Sequence, residues 1–245
     1  MTDAPLPWTL SDLTRERLSR ASTASIATQL FKRGLRNQFV QGVTPVSPKD
    51  QTMVGQAFTL RYIPAREDRN GIEVFQDPGH PQRVAIETCP PGQVLVMDAR
   101  RDARAATAGS ILITRLAMRG CAGVVSDGGF RDVQGIGALD MPSFCGGPSA
   151  PTNLTLHEAL DINVPIGCGG VAVFPGDVIV GDRDGVMVIP AHLADEIAEA
   201  CAGMEDFEAF VLEEVLNGTP IIGLYPCTLD ENRQKFEAWM ARRSD

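Results

Sequence analysis

Apolar positions along this chain repeat at either helical or strand spacing, and the changes between the two set the order of its elements. Near the start, Asp12 to Leu18 and Ala24 to Lys32 carry helical spacing, with Ser11 and Thr23 placed as caps and Gly34 stopping the second helix. Residues 1–9 read as a loose arm before them. Gln56 to Tyr62 predicts a strand, Pro64 to Asn70 a charged loop, and Gln93 to Met97 a short buried strand leading to Asp98. Ala106-Thr107-Ala108-Gly109-Ser110 then opens an apolar run, Ile111 to Met118, which stops at Gly120 and predicts a helix over 110–119. With a returning strand from Cys121 to Ser126 it makes a βαβ-like unit. Met141 to Phe144, Ile162 to Ile166 and Val171 to Phe174 read as strands of a second sheet. Val178 to Val180 and Val186 to Ile189 read as a hairpin, signalled by Asp184-Gly185. Pro190 introduces helices at 191–204 and 205–216, ended by Asn217-Gly218, and a last helix spans about Leu229 to Arg242. The mixture predicts an α/β chain forming one domain over 1–245, with a core at about 20–205 and a helical extension from about 206.

The spacing within the central unit brings two segments together. A helix of that length rises roughly 16 Å and the returning strand covers about 20 Å, so residues 128–132 come level with residues 108–112. The stretch Val124-Val125-Ser126-Asp127-Gly128-Gly129-Phe130-Arg131-Asp132 runs from an apolar strand through a glycine turn into an arginine beside a carboxylate. Arg131 can grip a carboxylate through two parallel hydrogen bonds, and Asp132 offers a hard oxygen to a cation such as Mg²⁺. Unpaired amides around Gly109, Ser110, Ile111 and Leu112 face them as an anion site. Asp127 either orients Arg131 from behind or serves the turn.

Composition narrows the remaining chemistry. At 245 residues the chain can bury a full core, and 22 basic against 31 acidic residues give a net charge of −9. That balance argues against nucleic-acid binding, since the densest basic cluster is Arg100, Arg101 and Arg104, read as a solvated helix or loop face. The six cysteines form no CxxC pair and read as reduced cytoplasmic thiols, and no apolar run approaches the roughly 20 residues that span a bilayer. Asp177, Asp182 and Asp184 lack the spacing of a calcium loop and read as turn formers. His157, within Thr155-Leu156-His157-Glu158, reads as a packed or surface histidine in a short helical turn. Gly167-Cys168-Gly169-Gly170 leads into a strand and so lacks the helix dipole that cradles phosphate.

Two blocks of the sequence resemble a known family. Asp127-Gly128-Gly129-Phe130-Arg131-Asp132, preceded at the right distance by a helix-opening glycine, is similar to the signature of the RraA-like proteins, which include 4-hydroxy-4-methyl-2-oxoglutarate/4-carboxy-4-hydroxy-2-oxoadipate aldolases. The block Phe174 to Pro190 is similar to the family's second signature. The resemblance implies a swivelling β/β/α fold, trimers or paired trimers with sites between subunits, and a class II lyase that splits or decarboxylates a 2-oxo acid through a pyruvate enolate. It implies that Asp132 ligates Mg²⁺ or Mn²⁺, that Arg131 binds substrate, and that the amides of Gly109 to Leu112 hold the pyruvyl carboxylate. Further acids are expected from the adjacent subunit, with Glu196, Glu199 and Glu205 in the region to supply them, and the loop at 64–70 matches a segment near subunit contacts. Ser110 departs from the pattern, because the family usually places an acid directly after that glycine. Two other readings stay open: a ribonuclease regulator without catalysis, as for the family's namesake, and a metal-dependent hydratase, dehydratase or hydrolase acting on a sugar-acid derivative.

Overall fold

In a computed structural model, residues 8–46 and 50–243 are described; the predicted arm lies almost wholly outside them. Helices α1 (Asp12–Arg20) and α2 (Thr23–Lys32) come first. Each is capped by a serine in extended conformation, Ser11 accepting from the Thr14 amide and Ser22 from that of Ser25. The cap expected at Thr23 therefore lies one residue earlier. Thr23 instead gives its amide and hydroxyl to Asp182, at 2.7 Å each, tying α2 to the sheet.

The middle of the chain follows as strands β1 (Thr44–Pro45), β2 (Met53–Pro64) and β3 (Gln93–Asp98), with helix α3 (Pro81–Thr88) before β3. Next come β4 (Ala106–Ala108), α4 (Ser110–Met118), β5 (Gly123–Ser126), β6 (Gly129–Phe130), α5 (Val133–Gly137) and β7 (Ser143–Cys145). The remainder is β8 (His157–Ile162), β9 (Ile166–Cys168), β10 (Val171–Val173), β11 (Val178–Asp182), β12 (Gly185–Ile189), α6 (Ala194–Leu216) and α7 (Asp230–Arg243).

One eight-stranded sheet carries the fold, in the order β1-β7-β5-β3-β2-β11-β12, with β8 also paired to β2. Its centre, β2 to β3 to β5 to β7, is parallel, and every other pairing is antiparallel. Val94 to Met97 on β3 are all buried, as expected of a central parallel strand covered on both faces. Ile86, Ile113, Leu116 and Phe130 close one face beneath α3 and α4. The β9–β10 hairpin closes another region through Ile166, Val171 and Val173. Leu18, Ile26, Leu30, Ile197 and Cys201 pack α1, α2 and α6 against β11 and β12. This is an α/β fold of the swivelling β/β/α type with added N- and C-terminal helices.

Several expected boundaries move, each for a physical reason. Met141 to Phe144 does not start a second sheet; it becomes β7 and pairs with β5. Ile162 to Ile166 is no strand, since the chain leaves β8 and turns at Asn163, whose φ is 56°, before β9 begins. The two helices drawn over 191–216 are one helix of 23 residues, because neither Met204 nor Glu205 interrupts a helix and Gly203 alone is too weak a break. The hairpin at Asp184-Gly185 is present, with Asp182 opposite Gly185 across a two-residue loop. Asp177 and Asp182 act as turn formers, accepting amides of Phe174, Ala191 and Asp184. Beyond the core, Phe210, Val211, Leu224 and Trp239 form a small cluster of their own, and the Trp239 indole donates to Glu213 at 2.7 Å. Among the described residues no helix is long and apolar enough to cross a membrane.

Candidate active site

The turn after β5 is built from residues without bulk. A Cβ on Gly128 would lie 2.6 Å from that of Ala99, and one on Gly129 would lie 2.7 Å from that of Ser149, so only glycines fit this close approach. Phe130, fully buried, anchors the strand between them and Arg131. β6 pairs in parallel with β4, setting Gly129 opposite Ala106 and Phe130 opposite Ala108, and the Arg131 amide donates to Ala108 O at 3.1 Å. The convergence expected from helix and strand lengths is thus realised.

Gly109 is the N-cap residue of α4 and has no side chain with which to cap it, leaving the first-turn amides of Ser110, Ile111 and Leu112 without a side-chain acceptor. A Cβ on Gly109 would lie 2.9 Å from Arg131 Cγ and 3.0 Å from both Arg131 Nε and Asp132 Oδ2. The arginine and aspartate side chains therefore lie directly over the helix start. Asp132 itself adopts left-handed backbone angles, φ 59° and ψ 38°, a conformation an aspartate tolerates better than most residues. Its carbonyl accepts the amides of Gly135 and Ile136, while its carboxylate stays half exposed, 3.4 Å from Ser110 Oγ and 3.8 Å from Arg131 Nε. The Arg131 side chain is 48 % exposed and so within reach of a ligand.

A cavity of about 240 Å³ opens beside Arg131, bounded by Gly109 and Leu112 on one side and by Gln82, Arg83 and Asn153 on the other. A second, of about 330 Å³, lies between Arg131, Asp132 and the segment Pro148 to Ala150. Arg131 stands between the two. A larger depression of about 530 Å³ lies between α1 and β2, but none of the residues singled out above lines it.

Asp127 does not orient Arg131. Its carboxylate accepts the amides of Ala99, Arg101 and Gly169 at 2.6, 3.1 and 2.9 Å, pinning the turn that follows β3. Burial raises its pKa above the usual carboxylate value, a rise that those amides only partly offset. His157 is buried, as one of its two readings held, but it opens β8 and does not lie in a helical turn. Its Nε2 faces Asp102 O at 3.0 Å and its Nδ1 faces Arg100 at 3.1 Å, which suits the neutral ring, and burial lowers its pKa. Glu196 pairs with Arg33, and Glu205 accepts from Ser22 and Ser25, so both help hold α6 to the N-terminal helices; Glu199 is exposed. Within the charged loop at 64–70, Arg66 pairs with Asp68, and it is the next turn, with Ile72 and Phe75, that reaches the cavity.

The donor set bears on any metal. Among the described residues no three His, Cys, Asp or Glu side chains gather as a ligand cluster, and Asp132 offers a single water-accessible carboxylate. That fits Mg²⁺ or Mn²⁺, which keep several waters, and does not fit the closed nitrogen and sulfur set of zinc. The bare Cβ space at Gly109 supplies one test of the arrangement. Gly109→Ala is expected to push Arg131 aside and weaken binding of a small carboxylate at the start of α4 about tenfold or more, while the melting temperature changes little because alanine is acceptable at this φ of −127°. Calorimetric titration together with a thermal melt checks both halves.

A profile of the RraA-like family, described as Aldolase/RraA, matches residues 23–188, from the first residue of α2 nearly to the end of β12. The chain belongs to the RraA-like family. Among its RraA-like relatives, a Halalkalibacterium halodurans protein named "Putative 4-hydroxy-4-methyl-2-oxoglutarate aldolase" is 44 % identical over 166 residues, covering 68 % of this chain and 72 % of that one. The solved structure of Streptomyces coelicolor RraAS2, described as an unusual member of the RNase ES inhibitor RraA protein family, superposes with a TM-score of 0.73 at 30 % identity, covering 83 % of this chain and 98 % of that one. An uncharacterized protein from Pseudomonas syringae shares the fold at a TM-score of 0.74 and 22 % identity, over 89 % of this chain and 98 % of its own. The RraA-like match includes Gly109 to Leu112, Arg131 and Asp132, and stops before α6 and α7.

Proposed function

We propose that this RraA-like protein is a divalent-metal-dependent lyase that cleaves or decarboxylates a small 2-oxo acid, with pyruvate as the common product. The observation that carries the reading is the meeting of Arg131, Asp132 and the uncapped start of α4 at one opening. In this reading the substrate carboxylate lies between the Arg131 guanidinium and the amides of Gly109, Ser110, Ile111 and Leu112, held from both ends. Asp132 holds Mg²⁺ or Mn²⁺, and the cation, when bound, supplies Lewis-acid stabilisation of the negative charge that develops on the 2-oxo oxygen. The bond between C3 and the leaving carbon breaks as that carbon departs either as a carbonyl compound, its hydroxyl giving up its proton, or as CO₂; the electron pair of the broken bond passes into the enolate, and a proton returned to C3 gives pyruvate. Arg131 fixes the acid so that this bond stands in line with the 2-oxo π system. Ser110 brings a hydroxyl to Asp132 where the family usually has an acid, so proton transfer falls to another group, supplied by a neighbouring subunit of a trimer or paired trimer. The site of action in this reading is the cytoplasm.

Purified protein incubated with oxaloacetate and with 4-hydroxy-2-oxo acids is expected to release pyruvate with Mg²⁺ and to stop when the metal is chelated. Absence of release with either substrate at saturating Mg²⁺ would overturn the lyase. Ser110→Asp is expected to raise the rate. The likeness to RraAS2 favours a second reading, a ribonuclease inhibitor, in which an acidic chain of net charge −9 engages a basic partner segment. Salt-sensitive ribonuclease binding without any pyruvate release would favour it.

A further inference from the structure

At their ends away from the candidate site, α3 and α4 bring two thiols together. Cys89 is the C-cap residue of α3, its amide donating to Ala85 O at 3.0 Å, and Cys121 follows the end of α4 with its amide on Leu116 O at 3.2 Å. They are 32 residues apart in the chain, so no local pattern announces the pair. Their sulfurs meet over one carbonyl. Pro90 O accepts from Cys89 Sγ at 4.0 Å and from Cys121 Sγ at 3.8 Å, and the two thiols are hydrogen-bonded to each other. Cys145 and Cys168, by contrast, turn their thiols to the carbonyls of Gly147 and Met97.

The two members of the pair differ in exposure and in charge. Cys89 is fully buried, whereas Cys121 is 7 % exposed and follows the exposed Gly120. Arg119 lies over the pair, its Nη2 donating to Cys89 O at 3.4 Å and its Nε buried without a hydrogen-bond partner. The hydrogen bond from Cys89 lowers the pKa of Cys121, and the Arg119 charge adds to that against the opposing effect of burial; the same contact and burial push Cys89 up. Cys121 is therefore the thiol suited to attack, and Cys89 the one suited to resolve.

We propose that Cys89 and Cys121 are an oxidation site, where a peroxide closes a disulfide that staples the end of α3 to the end of α4. The Cys121 thiolate attacks one oxygen of hydrogen peroxide; the O–O bond breaks, and the hydroxide that leaves takes up the thiol proton as water, giving a sulfenic acid. The Cys89 sulfur then attacks that sulfur, the S–S bond forms and the S–O bond breaks, and the departing hydroxide leaves as water with the Cys89 proton. Two thiols and one hydrogen peroxide thus give one disulfide and two waters. Because both sulfurs already touch, the bond closes without rearrangement of the helices, and it is independent of the lyase reading.

The native protein, treated with hydrogen peroxide, alkylated and cut with trypsin without reduction, is expected to yield fragments 84–100 and 120–131 joined to each other, less two hydrogens. Cys145 and Cys168 should remain free, and dithiothreitol should restore both separate fragments. The oxidised protein should melt about 5 °C or more above the reduced one, as a bond closing a long loop in an unstrained fold requires. In Cys89→Ser, dimedone should capture a sulfenic acid on Cys121, and in Cys121→Ser it should capture none on Cys89. Both cysteines still free after peroxide, or Cys121 joined to a different cysteine, would overturn the pairing, and this reading of the native protein holds even if a serine variant fails to fold. A joined pair with an unchanged or lowered melting temperature would overturn the unstrained staple, and capture on Cys89 in place of Cys121 would overturn the order of attack.

Discussion

Asp132→Asn is expected to lower metal-dependent pyruvate release by about a thousandfold, the scale of loss seen when a group stabilising a developing oxyanion is removed. Asparagine is the informative replacement. It keeps the size of the side chain and is at ease in the left-handed conformation that residue 132 adopts, so the backbone of the turn is preserved and only the charge is lost. With the side chain 56 % exposed and its nearest cation 3.8 Å away, the melting temperature should barely move. Raising Mg²⁺ should recover some activity if the remaining amide oxygen still meets the cation weakly. An Asn variant that stays within tenfold of the native rate across a Mg²⁺ titration would remove Asp132 from the proposed chemistry.

The largest expected loss of stability comes from Asp127→Ala. This buried carboxylate accepts three backbone amides, from Ala99, Arg101 and Gly169, and holds down a turn in which both Arg100 and Arg101 sit at a φ of 60°. Two consecutive left-handed residues that are not glycine persist only where their surroundings hold them there. Alanine would leave three amides without their acceptor inside the fold, and the expected cost is about 3 kcal/mol, read as a lower denaturant midpoint at unchanged slope. Asp127→Asn keeps an acceptor oxygen and should lose less. Since Asp127 begins the glycine turn that delivers Arg131, the alanine variant should also lose affinity for 2-oxo acids. A denaturant midpoint equal to the native one would show that the turn does not depend on this carboxylate.

The site was legible in the sequence because both of its halves are local. A glycine before a helix and an arginine after a glycine turn are short patterns, and the rise of a helix and of a strand sufficed to bring Gly109 and Arg131 level. The identity of the site's far wall was not legible. Arg83 and Gln82 lie on α3, a helix of eight residues with Pro81 at its start as the one signal available, and no periodicity ties it to Arg131. Asp127 left two readings open in the sequence, since a carboxylate four residues from an arginine suits pairing as well as a turn; its partners are amides 26, 28 and 42 residues away in the chain, which bears out the turn. The sheet order was equally hidden. Met141 to Phe144 has the look of a strand wherever it goes, and its place beside β5 is set by packing over the shared core.

β2 carries a consequence for how the chain can be divided. Its first residues pair with β11, its middle with β3 and its last with β8, so one continuous ribbon of 12 residues is common property of three segments that follow it at widely spaced points in the sequence. No cut between those segments leaves a piece able to close its own ladder. Fragments expressed apart should stay unstructured until mixed, and the two sides of the molecule should melt as a single cooperative unit.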